Sequence, residues 1–223
     1  MRLPLPLFDH SARDPRHIAE VIETATTEFL AQCLQPQDLS YATMPPFGSW
    51  VKAVDEASGN WVYGVVYHAT TSSVDQVHRT QALGLSLDEL RDQQPQIFAM
   101  LKTDFRAAIV GFYRGSDGPR PALEGQRPGY YQYLPPRPPQ VHQPVYACTP
   151  EEVVAFTEAL DFLRPLLQLA GAPADSLVAA TIREVYQLRQ GHRPWLVQAG
   201  RTLSLLLKDD YDRLRIILGQ IHL

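Results

Sequence analysis

The chain has 223 residues, a formal net charge of -4 and a sequence pI near 6.0. Its 45% of hydrophobic residues can form a sizeable core, either in one large domain or in a smaller domain with an extension. The acidic balance supplies no overall cationic field for phosphates, so avid non-specific binding of nucleic acid is not expected, although a local basic patch is compatible with it.

The cysteine content and the apolar stretches indicate an unexported protein. Cys33 and Cys148 form no C-x-x-C motif and no Cys/His cluster at zinc spacing, so we expect neither a disulfide framework nor a metal site. The first ten residues are too short and proline-rich for a signal peptide, and no stretch approaches 18 uninterrupted apolar residues. We therefore predict a cytoplasmic location without a transmembrane segment.

Residues 1–46 are predicted to be an N-terminal helix with its lead-in. Apolar side chains recur there at spacings of three and four residues: Ile18, Val21, Ile22, Ala25, Phe29 and Leu30. This spacing is typical of one helix face and predicts a helix over residues 15–33. A proline and a glycine at positions 46 and 48 then mark the turn into extended structure.

Residues 49–54 and 61–68 are rich in aromatic and β-branched side chains, and a Ser-Gly-Asn turn separates them. The pattern predicts a β-hairpin. Gly64 lies inside the second strand, where a missing side chain is typical of a bulge or of a close backbone approach. Because both features are common at barrel corners, we predict a barrel over residues 47–148.

A helical insertion is predicted at about residues 75–102. Ser86 and Glu89 have the spacing of a capping box, and Pro95 predicts a kink or a division of the helix. The apolar run at residues 105–113 then predicts a buried strand. Residues 118–144, which are rich in Pro, Gly, Arg and Tyr, are expected to run extended before a last short strand at residues 141–147.

Residues 149–223 are predicted to form a helical segment. Thr149, Pro150 and Glu152 combine an N-cap, a proline at the first helical position and a capping box. Pro165 predicts a kink in the helix that follows, and further helices are expected at residues 175–189 and 194–219. The whole chain is therefore of α+β class, a small β-barrel with a helical insertion followed by helices.

The sequence contains no phosphate loop, no G-x-G-x-x-G fingerprint, no H-E-x-x-H helix and no G-x-S-x-G elbow. We therefore expect a non-catalytic protein without a cofactor. His68 and His78 could in principle form an acid/base pair or a metal site. The alternative, which we favour, is that His68 ends a strand while Ser73 and Asp75 cap the following helix.

Two other segments can be interpreted either as structural or as functional. The tyrosines at positions 130, 131 and 133, near Arg127 and Arg137, could stack nucleic-acid bases or could seal a loop onto the core. The last helix could present a solvated face or could pack on a partner or on a second copy. The candidate partner-binding residues are Tyr131, Tyr133, Arg137, Tyr211, Arg215 and Leu218.

The glycine placement and strand order resemble a HAS barrel, the small barrel shared by the N-terminal parts of HerA-type DNA translocases and ATP-synthase catalytic subunits. The resemblance covers residues 47–152 and rests on the segments at residues 47–51, 61–66 and 107–111 and on the proline run at 135–139. The whole-chain pattern also looks like cyanobacterial proteins with stand-alone HAS barrels. The resemblance implies an assembly element, which in HerA looks like a docking surface for a nuclease.

The chain departs from the ring-forming members because helices stand where the ATPase should follow, so nucleotide binding, motor activity and hexamer formation are not implied. We therefore expect a protein-binding or assembly module, such as an adaptor, that acts through barrel loops and C-terminal helices. The alternative is a nucleic-acid-associated accessory factor related to HerA-type DNA processing, using Arg120, Arg127 and Arg137. Fold analogy alone decides neither.

Overall fold

The computed structural model describes residues 14–35, 43–74, 83–94, 96–115 and 129–221. The strands are β1 (His17–Thr24), β2 (Glu28–Cys33), β3 (Trp50–Asp55), β4 (Asn60–Ser73), β5 (Leu101–Tyr113), β6 (Tyr130–Tyr131) and β7 (Pro144–Ala147). The helices are α1 (Leu87–Gln93), α2 (Gln96–Ala99), α3 (Pro150–Phe156), α4 (Leu163–Leu167), α5 (Ala174–Leu188), α6 (Arg193–Leu206) and α7 (Tyr211–Gln220).

Six strands form a closed barrel in the order β2-β1-β7-β3-β4-β5, and the pairing of β5 with β2 closes the ring. All of these pairings are antiparallel. The short β6 is not part of the ring and pairs with the far end of β5. The predicted α+β class, the barrel, the hairpin of β3 with β4 and the buried strand at residues 105–113 are confirmed.

The predicted helix at residues 15–33 is wrong, because this segment forms the hairpin of β1 and β2. Ala19, Val21, Phe29 and Ala31 alternate along the two strands and point into the barrel, where they are buried. The helical spacing arose because Ile22, on the outer face, is also apolar although it is 37% exposed. Because inward Ala19 is small and outward Ile22 is apolar, the alternation of apolar and polar residues that marks a strand is not visible in the sequence.

The barrel interior is a compact core of mostly small side chains, here called the inner core. Its members are Ala19, Val21, Phe29, Ala31, Cys33, Val51, Ala53, Val62, Val66, Phe105, Ala107, Ile109 and Val145. Gly64 lies at a register shift of β4, which confirms the predicted bulge. A Cβ atom there would lie 3.1 Å from the Ala107 Cβ and 3.2 Å from the Phe29 Cε1, so a side chain at this position would require its neighbours to shift by a few tenths of an ångström.

A second and larger cluster, here called the outer core, joins the outside of the barrel to the C-terminal helices. The barrel contributes Trp50, Tyr63, Val65, Ala108 and Val110, and α3 to α7 contribute the rest. The ring of Phe156 lies 4.9 Å from that of Tyr63 and 5.4 Å from that of Trp50. The helical segment therefore packs directly on β3, β4 and β5.

Both predicted capping boxes are present. Ser86 and Glu89 cap α1, and Thr149 and Glu152 cap α3, with Pro150 in the first turn. The single helix predicted at residues 194–219 is wrong, because α6 ends at Leu206 and the side chain of Asp210 caps a new helix, α7. The N-cap aspartate explains why the chain restarts the helix there.

The ends of β4 and β5 extend beyond the ring as a two-stranded overhang, with Thr71 and Thr103 joined by their hydroxyls at 2.9 Å. This overhang carries α1 and α2 in the predicted insertion, whose residues 75–82 and 95 lie outside the described ranges. None of the α1 side chains is buried. Within the described residues, every helix is too short or too polar to traverse a lipid bilayer.

Candidate functional site

A cleft of about 890 Å³ lies where the barrel meets the helical segment. Its barrel wall is formed by Thr27 in the β1–β2 turn and by Ala108 and Ile109 of β5. Its second wall is the segment 130–134, and its third consists of residues 159–170 around α4. Most of the lining side chains are apolar or aromatic, so the cleft suits an apolar group.

The cleft exists because two strands share one edge of β5. β2 pairs with β5 as far as Ala108, and β6 resumes pairing at Phe112. Between them, Gly111 allows the backbone of segment 130–134 to approach, since a Cβ atom at this position would collide with the carbonyl oxygen of Tyr131. The gap along β5 therefore leaves room for the cleft, with β6 as one boundary.

Gln132 fixes this wall to the helices. Its side-chain amide donates to the carbonyl oxygens of Phe156 (2.6 Å) and Ala159 (3.0 Å), and its carbonyl oxygen accepts from the backbone N–H of Phe162 (2.9 Å). These three bonds satisfy backbone groups of the α3–α4 connection that have no hydrogen-bond partner within a helix. Two walls of the cleft are thus held in a fixed relation.

The candidate residues Tyr131 and Tyr133 both line the cleft. The Tyr131 ring stacks on Phe112 at 5.1 Å, and the guanidinium of Arg114 lies over it at 5.1 Å. Tyr133 packs edge-on against the same phenylalanine but is 57% exposed. The arrangement seals the segment onto the barrel and also leaves one tyrosine and the neighbouring Leu134, 43% exposed, at the cleft mouth.

Charged and polar side chains stand at the α4 side of the cleft. Asp161, Arg164 and Gln168 line it and are exposed. No described residue forms an ion pair with Arg164 or Asp161, so both charges can pair with a bound group. Sequence reasoning did not identify this side of the cleft, because only the predicted kink at Pro165 pointed to it.

The arginines singled out in the sequence are not gathered in the cleft. The Arg137 Nε lies 3.7 Å from the Asp55 Oδ2, at the β3–β4 turn, and Arg137 does not line the cleft. Arg120 and Arg127 lie outside the described residues. Among the described members of that group, the structure brings the three tyrosines, Tyr130, Tyr131 and Tyr133, to the cleft but not Arg137.

The candidates Tyr211, Arg215 and Leu218 lie on α7, at a spacing of four and then three residues along one exposed face. An adjoining side of α7 buries Leu214 and Ile217 in the outer core. None of the three candidates lines the cleft. The structure thus separates the candidate residues into a cleft group and an α7 group.

The prediction that His68 ends a strand is wrong, because β4 continues to Ser73, and the cap of α1 is Ser86 rather than Ser73. Asp75, the other predicted cap, lies outside the described residues. His68 is exposed on β4, opposite Arg106 of β5, and His78 lies outside the described residues. Within the part of the chain that the structure describes, no group of three His, Cys, Asp or Glu side chains is arranged to hold a metal ion.

The junction between barrel and helices also buries charge. Lys52 of β3 forms an ion pair with Glu152 of α3, and both side chains are largely buried. The Lys52 Nζ lies 4.7 Å from the centre of the Trp61 ring. Burial raises the pKa of the Cys148 thiol well above its usual value and raises the pKa of Glu184, on α5, to about 7. At the junction, burial thus disfavours the ionised forms of both the Cys148 thiol and the Glu184 carboxyl.

Comparison with protein families gives one match. Residues 18–115 match the HAS barrel domain, so the chain contains a HAS barrel domain, as the resemblance predicted. The match begins at Ile18 because β1 and β2 are strands of the barrel. Comparison with curated proteins found no match.

Proposed function

We propose that this protein is a non-catalytic protein-binding module whose cleft, between barrel and helical segment, receives an apolar side chain from an extended segment of a partner protein. The observation that carries the proposal is the cleft itself. It joins the barrel loops and the C-terminal helices, the two parts of the chain that the sequence singled out for binding. The partner belongs in the cytoplasm, as the resemblance to stand-alone cyanobacterial proteins implies.

The chemistry of the cleft favours a protein partner. Leu134 and Tyr133 offer exposed apolar surface at the mouth, while Asp161 and Arg164 supply opposite charges at the far side. An apolar centre with a polar rim is the usual composition of a protein interface. The cleft of about 890 Å³ is large enough for one or two apolar side chains of a bound segment.

The same contacts weigh against the alternative, a nucleic-acid-associated factor. The Tyr131 face is covered by Arg114 and Phe112, so it is not free for a base to stack on it. Arg137 lies beside the Asp55 carboxylate, and the net charge of the chain is -4. Stacking on Tyr131 and counterion release would both be weak here.

The test is photo-crosslinking in the source cells with a crosslinking amino acid at Tyr133. A matched control carries the same amino acid at Asp92, which is exposed on α1. We expect one crosslinked protein at position 133, absent at position 92 and lost in Leu134→Glu, because a carboxylate at the cleft mouth would lose its water when an apolar side chain enters.

Crosslinks that are equal at both positions, or that survive Leu134→Glu, would overturn the proposal. Mobility-shift measurements with single- and double-stranded DNA at low salt complete the test. A shift that disappears with added salt, without any protein crosslink, would replace this proposal by the nucleic-acid alternative.

A further inference from the structure

The exposed face of α7 carries two large apolar side chains. Tyr211 is 72% exposed and Leu218 is 43% exposed, and they lie two turns apart on the same side. Asp212 and Arg215 lie next to them and are exposed as well. The face therefore combines two large apolar side chains with one charge of each sign.

The charges on this face have no partner within the described residues. Arg213, on another side of α7, binds the Asp175 carboxylate at 2.5 Å and the Leu167 carbonyl oxygen at 3.0 Å. By contrast, neither Asp212 nor Arg215 forms an ion pair with any residue that the structure describes. One arginine thus anchors α7 to the protein, and the other is directed outward.

The order of these residues makes the face complementary to itself. When a second copy of α7 is laid antiparallel on the first, the order along the helix is reversed. Asp212 of each copy then faces Arg215 of the other, and Tyr211 faces Leu218. The two pairings place the twofold axis within one residue of the same point, near the middle of the helix.

We propose that α7 is the contact surface of a symmetric homodimer of this protein. The occupant is a second copy because the two charges are placed to pair across a twofold axis, which an unrelated partner would not require. This surface is separate from the cleft, so the dimer does not depend on the proposed function.

The size of the helix sets the strength of the contact. Ten residues of α7 extend over about 15 Å. A contact along so short a helix is expected to fall below the roughly 1,200 Å² of a stable interface. The dimer is therefore weak and depends on protein concentration, and salt weakens it further because the paired charges lie at its surface.

The test is sedimentation velocity of the full chain over a concentration series. The expected mass rises from that of the 25.1 kDa monomer toward twice that value. Asp212→Arg and Arg215→Asp each place like charges opposite one another and should weaken dimerisation roughly tenfold or more. Asp92→Arg, a charge reversal on the remote α1, should leave it unchanged.

Charge exchange makes the test specific for the antiparallel arrangement. An equimolar mixture of the two single variants restores both ion pairs and should dimerise like the original protein, as should the double variant D212R/R215D. Circular dichroism verifies that each variant is folded.

A chain that is monomeric throughout the series would overturn the proposal. So would single variants that dimerise normally, or a mixture that fails to recover. Leu134→Glu, which blocks the cleft, should leave the dimer intact, so the two proposals can fail separately.

Discussion

The inner and outer cores of this protein are built from different side chains. The inner core consists mostly of Ala and Val, with Phe29 and Phe105 as its large members. The outer core contains Trp50, Phe156 and Phe162, all buried, among long aliphatic side chains from the helices. A narrow six-stranded ring has little internal volume, so bulky residues accumulate on its outside.

The two cores meet in the same strands. β3, β4 and β5 are buried on both faces along the ring, whereas β1 and β2 alternate between buried positions and half-buried or exposed ones. Strands buried on both faces need a cover, and the C-terminal helices provide it. The barrel and the helices therefore form one structural unit, although the family match covers residues of the barrel and not of the C-terminal helices.

Truncation after Cys148 should have the largest effect, because it removes every helix that covers the barrel. The barrel would keep its inner core but expose Trp50, Tyr63 and Val65, each worth about 1.5–3 kcal/mol when buried. We expect an aggregated chain or one without a cooperative unfolding transition, measured by solubility and circular dichroism. A soluble truncated chain with a well-dispersed amide NMR spectrum would contradict the single unit.

A matched pair of substitutions, one in each core, tests whether the two cores unfold together. Phe156→Ala and Phe29→Ala each remove a fully buried ring and should cost about 3–5 kcal/mol of the free energy of unfolding. Because the cores share a sheet, both variants should unfold in one transition when followed by tryptophan fluorescence and by far-ultraviolet circular dichroism. Separate transitions for the two probes would show that the cores are independent.

The buried ion pair at the junction is the next largest effect. Lys52→Met leaves the Glu152 carboxylate without its cation and should cost about 3 kcal/mol in urea unfolding. Arg16→Met is the control, because the side chains of the Arg16–Asp14 pair are 50% and 36% exposed and the pair should contribute much less to stability. Equal losses in the two variants would remove the distinction between junction and surface.

The smallest expected effect is a dependence on pH that arises on the helical side. Burial raises the pKa of Glu184 to about 7 from an ordinary value near 4.5. The stability of the native protein is then highest below pH 4.5 with respect to this group and falls as the pH rises through 7, because ionisation is disfavoured in the folded state.

Glu184→Gln removes this dependence. Near pH 8 the variant should be more stable than the original protein by about 1–2 kcal/mol, allowing for the solvent that still reaches the side chain. Near pH 5 the two should be similar. A stability difference that is the same at both pH values, measured by urea unfolding, would contradict the assignment.

The sequence predicted those elements whose signals are local. The hairpin of β3 and β4 follows from dense aromatic and β-branched residues, and the starts of α1 and α3 follow from complete capping boxes. The β1–β2 hairpin was mistaken because outward Ile22 and inward Ala19 obscure the strand alternation. The break between α6 and α7 was readable from Asp210 as an N-cap, but the apolar stripe through Leu207 masked it.

The candidate site was predictable only in part. Tyr131 and Tyr133 stood out as aromatic residues in a proline-rich segment, and both line the cleft. Thr27 and Arg164 did not stand out, because only folding brings the β1–β2 turn and α4 together. The bonds from Gln132 to the α3–α4 connection span 24 to 30 residues, and no local pattern encodes such a distance.

The glycine at position 111 makes the shape of the cleft depend on a single hydrogen atom. A methyl group there would meet the Tyr131 carbonyl oxygen and, 2.8 Å away, the Phe156 Cζ. Since Gln132 ties the displaced segment to the helices, the push would be passed from one wall of the cleft to the other. If the cleft binds a partner as proposed, a substitution at this one position, which does not itself line the cleft, would alter recognition while every lining residue stayed the same.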